Sequence, residues 1–369
     1  MVILIRCNDI LTDPRAMKYV KYLQENDIEH TFIGWDRDGV NPALPNSVMW
    51  QEKAGYNIGG FKAVKNRIGW MWFVYRQLCK LKPKNAIIHG CDVDSAFPAA
   101  CYKFFHQSNK LIFDVFDWFS ATLYEQKKYV LLGFKFMEKF TTKQSDKVII
   151  CEAERIEQIP YAIPSHKLSI LPNIPFFDNA DFLKQEEKSQ FDNDLLTVSY
   201  VGGFATSRCL FEIVEIAEKG LINLKIAGFG EPELEARLQR DNEKSPNIKY
   251  YGKVRYEEGL NISYNSDVMY AMYSIENPNH IYAAPNKYYE CMFLGKPLFT
   301  TKGTIVEKKV LDREMGYVSG ESVEEITEVL SKITKEDIIR KGKNAKECWE
   351  NTYKNYTLNY LKNEYLKIR

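Results

Sequence analysis

Short apolar-rich runs alternate with stretches of helical periodicity along nearly the whole chain, and this alternation decides what the chain can fold into. Val2–Arg6, His30–Trp35, Asn85–His89, Lys110–Phe113, Val148–Cys151 and Leu168–Leu171 are runs of this kind, too short for helices. Strands buried on both faces read this way. Strands alternating with helices imply parallel crossovers, and the helices then cover both faces of a doubly wound sheet. Ligands of such sheets sit outside the carboxyl ends of the strands, so the loops that follow strands are where function is to be sought.

The pattern breaks once and then resumes. Leu171-Pro172-Asn173-Ile174-Pro175 closes the first series. Residues 178–194 are polar and acidic, with Asp178, Asp181, Glu186, Glu187, Asp192 and Asp194. A second series follows at Leu196–Val201, Asn223–Ala227, Asp267–Tyr273 and Leu298–Thr301. A chain of 369 residues exceeds what one hydrophobic core usually organises. The expectation is an α/β protein of two Rossmann-like, doubly wound parallel-sheet domains. They cover residues 1–175 and 195–349, joined by a linker at 176–194.

Composition excludes several classes. The eight Cys form no C-x-x-C pair, so neither a zinc site nor a disulfide framework is suggested, and reduced thiols of a cytoplasmic protein are the default. The run Met1–Arg6 is too short for a signal peptide, and no run is long enough to span a membrane. Charge is uneven: 23 Lys and Arg face 18 Asp and Glu up to residue 175, and 27 face 31 beyond it. The excess concentrates in Phe61–Lys84, with seven basic residues, no acid, and Trp70, Trp72, Phe73 and Tyr75 between them. Such a segment suits the surface of an anionic membrane. It equally suits a core helix whose lysine stems reach out to water. No nucleic-acid motif accompanies it.

Chemistry is most legible in Ala284–Phe299. Pro285 suits a first helical position, Tyr288, Cys291, Met292 and Phe293 form an apolar stripe, and Gly295 ends the helix. Lys287 and Glu290 share one face near the helix N-terminus, where free N–H groups attract anions. A cation and a carboxylate there suit a nucleoside diphosphate, phosphate on the cation and ribose hydroxyls on the carboxylate. An ordinary surface i,i+3 ion pair has the same spacing. Gly202-Gly203-Phe204-Ala205-Thr206-Ser207-Arg208 follows a strand and opens a helix, a second phosphate-ready turn. In the first half, Asp9, Asp13 and Arg15 follow the first strand. Asp92 and Asp94 follow the third, and Asp117 lies in Asp114-Val115-Phe116-Asp117-Trp118. Helix capping is the plain alternative for Asp13, Asp92 and Asp94. Asp92-Val93-Asp94 also has the form of a metal-binding D-x-D, but that belongs with a single mixed sheet, and this chain carries a second βα series instead.

Pro285-Asn286-Lys287-Tyr288-Tyr289-Glu290-Cys291-Met292-Phe293-Leu294-Gly295-Lys296-Pro297 resembles the P-x-K-x-x-E-x-x-x-x-G-x-P motif of retaining GT-B glycosyltransferases of family 4. The resemblance implies a GT-B fold, with two domains facing across a cleft and the C-terminal helix, about 350–369, packing back on the first domain. It implies donor contacts from Gly202, Gly203, Arg208, Gly228, Lys253, Val254, Pro285, Asn286, Lys287 and Glu290. Arg208 and Lys287 would stabilise the leaving diphosphate without a metal or other cofactor. The acceptor side would fall to Asp9, Asp13, Arg15, Asp92 and Asp117. Two positions depart from the family: Tyr282 stands where a sugar-contacting Glu is usual, and Phe116 and Asp117 replace the His-Glu of a D-x-H-E loop. The implied activity is retaining transfer from a nucleotide sugar, a UDP-sugar, to a glycan or lipid-linked acceptor, as in bacterial capsule or O-antigen synthesis. A UDP-sugar epimerase of the same fold and a non-enzymatic two-domain sugar-binding protein are the alternatives.

Overall fold

The computed structural model describes residues 1–8, 13–37, 45–53, 60–123, 128–176, 180–186 and 190–368. The chain divides into two compact units, Met1–Pro172 with Thr357–Arg369, and Asn173–Tyr356.

Unit 1 runs β1 (Val2–Arg6), α1 (Pro14–Glu25), β2 (His30–Trp35), β3 (Ser47–Trp50), α2 (Gly60–Leu81), β4 (Ile87–Cys91), α3 (Val93–Phe105), β5 (Lys110–Val115), α4 (Phe119–Thr122), α5 (Lys128–Gln144), β6 (Lys147–Ile150) and β7 (Leu168–Ile170). The seven strands form one parallel sheet ordered β3-β2-β1-β4-β5-β6-β7. Val2 to Ile5 are all buried, which is why β1 shows no alternation. Strand β3 was not expected from the sequence. Its four residues are all half-buried and too few to stand out. Pairing with β2 and the rings of Trp35, Trp50 and Trp70 hold it. From β1 the chain moves outward to β3, then returns to β4 beside β1, so the strand order reverses between β1 and β4. Right-handed crossovers therefore set α1 on one face and α2, α3 and α5 on the other. The C-terminal residues return to α1: Tyr365 is buried, 4.9 Å from the Tyr19 ring, with its hydroxyl 2.7 Å from His89 Nδ1.

Unit 2 runs β8 (Thr197–Gly203), α6 (Leu210–Glu218), β9 (Asn223–Phe229), α7 (Pro232–Lys244), β10 (Ile248–Tyr250), α8 (Tyr256–Tyr264), β11 (Val268–Ala271), α9 (Pro278–Ile281), α10 (Asn286–Leu294), β12 (Leu298–Thr301), α11 (Ile305–Asp312), β13 (Gly316–Ser319), α12 (Val323–Ser331) and α13 (Lys335–Cys348), and α14 (Tyr356–Tyr360) then belongs, all but its first residue, to unit 1. Its six parallel strands are ordered β10-β9-β8-β11-β12-β13, and the reversal falls between β8 and β11. Part of the acidic stretch read as a linker lies down on this unit. The Glu186 carboxylate takes the buried Lys225 ammonium at 2.7 Å, and Lys184 donates its N–H to Asn261. Helix α12 opens with the capping box of Ser322 and Glu325 that its spacing announces.

Candidate functional site

In unit 2 the two ends that meet at the strand-order reversal carry the sequence's strongest signals. Strand β8 extends through both glycines, pairing Gly202 with Gly228 and Gly203 with Phe229. Gly202 has φ +152°, and a Cβ there would lie 2.8 Å from Lys287 Nζ. A Cβ on Gly228, φ +144°, would lie 1.8 Å from the Gly202 carbonyl oxygen. Only glycine lets these backbones and the lysine come so close. A single 3₁₀ turn, Thr206–Arg208, and a left-handed Cys209 then lead into α6. Arg208 lies over the Tyr273 ring at 4.0 Å, and its Nη1 is buried without a hydrogen-bond partner.

Helix α10 begins at Asn286. Pro285 occupies the cap itself, one position earlier than its expected place inside the helix. A proline cap has no side-chain acceptor and the first turn has no acid, so no side chain caps the N-terminal N–H groups, of which that of Tyr288 donates to the Pro285 carbonyl at 3.0 Å. Asn173 fixes the entry by donating to the Ala284 carbonyl at 2.9 Å, and Gly295, φ +67°, closes the helix.

Lys287 and Glu290 do not form the surface ion pair that their spacing allows. Lys287 instead sits 4.6 Å over the Tyr200 ring and, among the described residues, makes no hydrogen bond or ion pair. Glu290 is 8% exposed and accepts from the Tyr256 hydroxyl at 2.9 Å. Burial lowers the Lys287 pKa to about 8, with Glu290 opposing and the nearby Arg208 cation adding to the fall. Burial likewise raises that of Glu290, against the pull of Lys287 and the Tyr256 hydrogen bond. Two cations thus repel each other on aromatic seats, and among the described residues neither is in ion-pair contact with a carboxylate, Glu290 acting on Lys287 only through space. Uncompensated charge in such a place costs free energy that an arriving dianion would return. Tyr200, Tyr273 and Tyr256 were not singled out in the sequence, because nothing in a strand's or helix's pattern says which ring seats a cation.

The remaining donor-side residues lie around the same strand ends. The Gly228 N–H donates to the Gly252 carbonyl at 2.8 Å and draws the loop of Lys253 and Val254 to the tip of β9. Lys253 is exposed, 4.9 Å over the Phe229 ring, Val254 is half-buried, and Asn286 is exposed. His280, buried with Nδ1 3.0 Å from the Ser274 carbonyl, meets the Tyr273 ring edge-on.

In unit 1 the acids gather where β1 and β4 end. Arg6 closes β1 and pairs with Asp13 at 2.7 Å and with Asp92. Asp13 also caps α1 through the N–H groups of Arg15 and Ala16. Asp92 stands at the start of α3 with φ +63° but makes no side-chain cap. Its carboxylate accepts from the Phe116 N–H at 3.0 Å. Burial pushes the Asp92 pKa up to about 6, opposed by Arg6 and reinforced by Asp94 and Asp117. Asp94 faces Arg67 at 3.6 Å, so the two acids of the D-x-D serve separate arginines. Asp117 is exposed and takes Arg155 at 3.1 Å. Phe116 lies under both Arg6 and Arg15, at 4.2 and 4.8 Å. Arg15 is turned inward, 2.5 Å from Asp114 and 2.8 Å from the Leu171 carbonyl. Against its burial, Arg15 and His89 hold the Asp114 carboxyl well below its ordinary pKa. His89, Cys91 and Asp114 come together in the interior, but Asp114 is already bound by Arg15 and by the Tyr19 hydroxyl at 2.6 Å. That donor set fits a structural network rather than a cation site. Asp9 lies outside the described residues.

No protein-family model matches the sequence, and no curated protein matches it. Solved structures match the fold. A sucrose-phosphate synthase from Thermosynechococcus elongatus superposes with a TM-score of 0.70 at 16% identity, over 97% of this chain and 96% of that one. The E. coli trehalose-6-phosphate structure bound with UDP-2-fluoro glucose gives 0.66 at 11% identity, over 98% and 97%. A Listeria monocytogenes structure assigned as a UDP-N-acetylglucosamine 2-epimerase gives 0.59 at 13% identity, over 93% and 90%. The architecture is the GT-B fold, two Rossmann-like parallel-sheet units in one chain.

Proposed function

We propose that the protein is a retaining glycosyltransferase of the family 4 type, taking a UDP-sugar in unit 2 and an acceptor hydroxyl on the side of unit 1. The observation that carries the reading is the pair of cations, Arg208 and Lys287, held on tyrosine rings with no ion-pair contact among the described residues, beside a helix N-terminus that no side chain caps. A diphosphate supplies the missing charge, and Glu290, set three residues beyond Lys287 and oriented by Tyr256, accepts the ribose hydroxyls. In the reaction the bond from the anomeric carbon to the β-phosphate oxygen breaks, and the acceptor oxygen bonds to that carbon on the same face. The acceptor proton passes to the leaving phosphate. Arg208, Lys287 and the N–H groups of α10 stabilise the charge that develops there, so no divalent cation is needed. Asp92 and Asp117 position the acceptor. We assign the acceptor to the glycan or lipid-linked class used in bacterial surface polysaccharide synthesis, and the protein to the cytoplasmic side of the membrane.

The epimerase-like neighbour and the buried His280 beside Tyr273 favour one second reading, a UDP-sugar epimerase. Incubation with UDP-sugars, with and without glycan acceptors, separates the two. Transfer predicts UDP release coupled to a new glycoside of unchanged anomeric configuration. Release of an epimerised sugar without acceptor consumption would replace it with the second reading.

A further inference from the structure

We propose that the outer face of α2, α3 and α5 docks on an anionic phospholipid bilayer. The sequence pointed to Phe61–Lys84 alone, and the structure redraws that segment. Trp70, Val74 and Leu78, at four-residue spacing, are fully buried against the sheet. On the opposite side of α2, Val64, Ile68 and Trp72 are 43%, 58% and 61% exposed, also at four-residue spacing. Arg76 and Lys80 continue that stripe. Helix α5 repeats the design. Tyr129, Leu132 and Phe136 are 68%, 56% and 65% exposed, with Lys128, Lys135, Lys139 and Lys143 exposed around them.

Ring contacts lead from each stripe to α3. Trp72 stacks on Tyr75, and Tyr75 meets Tyr102 of α3. Phe104, at the end of α3, meets the exposed Phe105 and also Phe140, which stacks on Phe136. On the sheet's other face the C-terminal residues pack beside α1 against the strands, with Tyr365 between Tyr19 and His89. No described element covers the outer sides of α2 and α5.

Charge selects the occupant. Helices α2 and α5 together carry nine Lys and Arg and one acid, Glu138, which is buried with its carboxylate on the Ser120 N–H. The acid of α3, Asp94, is buried against Arg67. Large apolar rings framed by cations, with no exposed acid on these three helices among the described residues, match the headgroup region of an anionic leaflet. Among the described residues no helix is long and apolar enough to cross a membrane, so this contact would be peripheral.

The test is co-sedimentation of the full chain with vesicles of phosphatidylcholine alone or mixed with phosphatidylglycerol. Wild type is compared with Trp72→Ala/Phe136→Ala and with Lys65→Gln/Arg76→Gln/Lys80→Gln/Lys135→Gln. Wild type should pellet with the anionic vesicles only and release at high salt. Each multiple variant should lower the partition at least about tenfold. Melting temperature and UDP affinity should not move, which shows the variants are folded. They also separate this proposal from the glycosyltransferase reading, on which it does not rest. Equal partition of all three proteins would overturn it. So would concentration-dependent self-association that Trp72→Ala/Phe136→Ala abolishes, since the face would then belong to a second copy.

Discussion

Replacing Lys287 by Met should make the free protein more stable and its nucleotide binding weaker. The lysine's pKa falls from 10.5 to about 8 because burial and Arg208 disfavour its charge. At about 1.4 kcal/mol per unit, that is about 3 kcal/mol stored against the ammonium near neutral pH. The residue is only half-buried, so solvent screening reduces the figure to about 1–2 kcal/mol. Loss of the contact with the Tyr200 ring offsets about 0.5–1 kcal/mol of the gain. The net expectation is about 1 kcal/mol, a rise in Tm of about 2–4 °C for a unit of this size. UDP affinity should meanwhile fall by about 1.5–3 kcal/mol, the worth of a charge-assisted hydrogen bond. The pH dependence has a definite sign. Between about 8 and 10.5 the native lysine has released a proton that the unfolded chain keeps, so this group makes stability rise with pH across that window. UDP binding falls as pH rises through about 8, because the neutral amine offers no charge. Both slopes should vanish in the Met variant. Melting curves and calorimetric titration near pH 7 and pH 9 measure them. A variant that is less stable yet binds UDP as wild type does would refute the reasoning and make Lys287 a structural residue.

Three further outcomes follow from the same geometry. Glu290→Ala should weaken UDP binding by about 1.5–3 kcal/mol through the ribose, and Tyr256→Phe by about 1 kcal/mol through the lost orienting hydrogen bond. Titration with UDP and with inorganic diphosphate separates the effects, since diphosphate has no ribose and should bind all three proteins alike. EDTA should leave the transfer rate unchanged, and an enzyme silenced by EDTA and restored by manganese would return Asp92 and Asp94 to consideration as ligands. Asp92→Asn should raise the acceptor KM and leave UDP affinity unchanged. It should also remove a rise in kcat/KM through about pH 6, where the wild-type carboxyl ionises.

The sheets were legible because their strands are buried on both faces, so β1, β2, β4, β5 and β6 announce themselves as apolar runs. Strand β3 did not, because a half-buried strand of four residues has neither length nor alternation. Around α10 the helix, its end at Gly295 and its pair of charges were all readable from spacing. The relation between those charges was not: i,i+3 spacing predicts a salt bridge, and the structure instead gives Lys287 to Tyr200 and Glu290 to Tyr256. Each of these partners is distant in sequence, brought in by β8 and α8. The same limit applies in unit 1, where Asp13, Asp92 and Arg15 looked alike as loop polars. Packing separates them: Asp13 and Asp92 share Arg6, while Arg15 is turned inward onto Asp114. On α2 the sequence could count aromatic and basic residues, but only the packed sheet shows that Trp70 faces the core and Trp72 faces outward.

A crystal structure of the protein soaked with UDP tests the central claim most directly. The account predicts the diphosphate oxygens within hydrogen-bond distance of Lys287, Arg208 and the first N–H groups of α10, with both ribose hydroxyls on the Glu290 carboxylate. UDP bound away from these residues, or the two cations found paired with protein carboxylates in the complex, would contradict it.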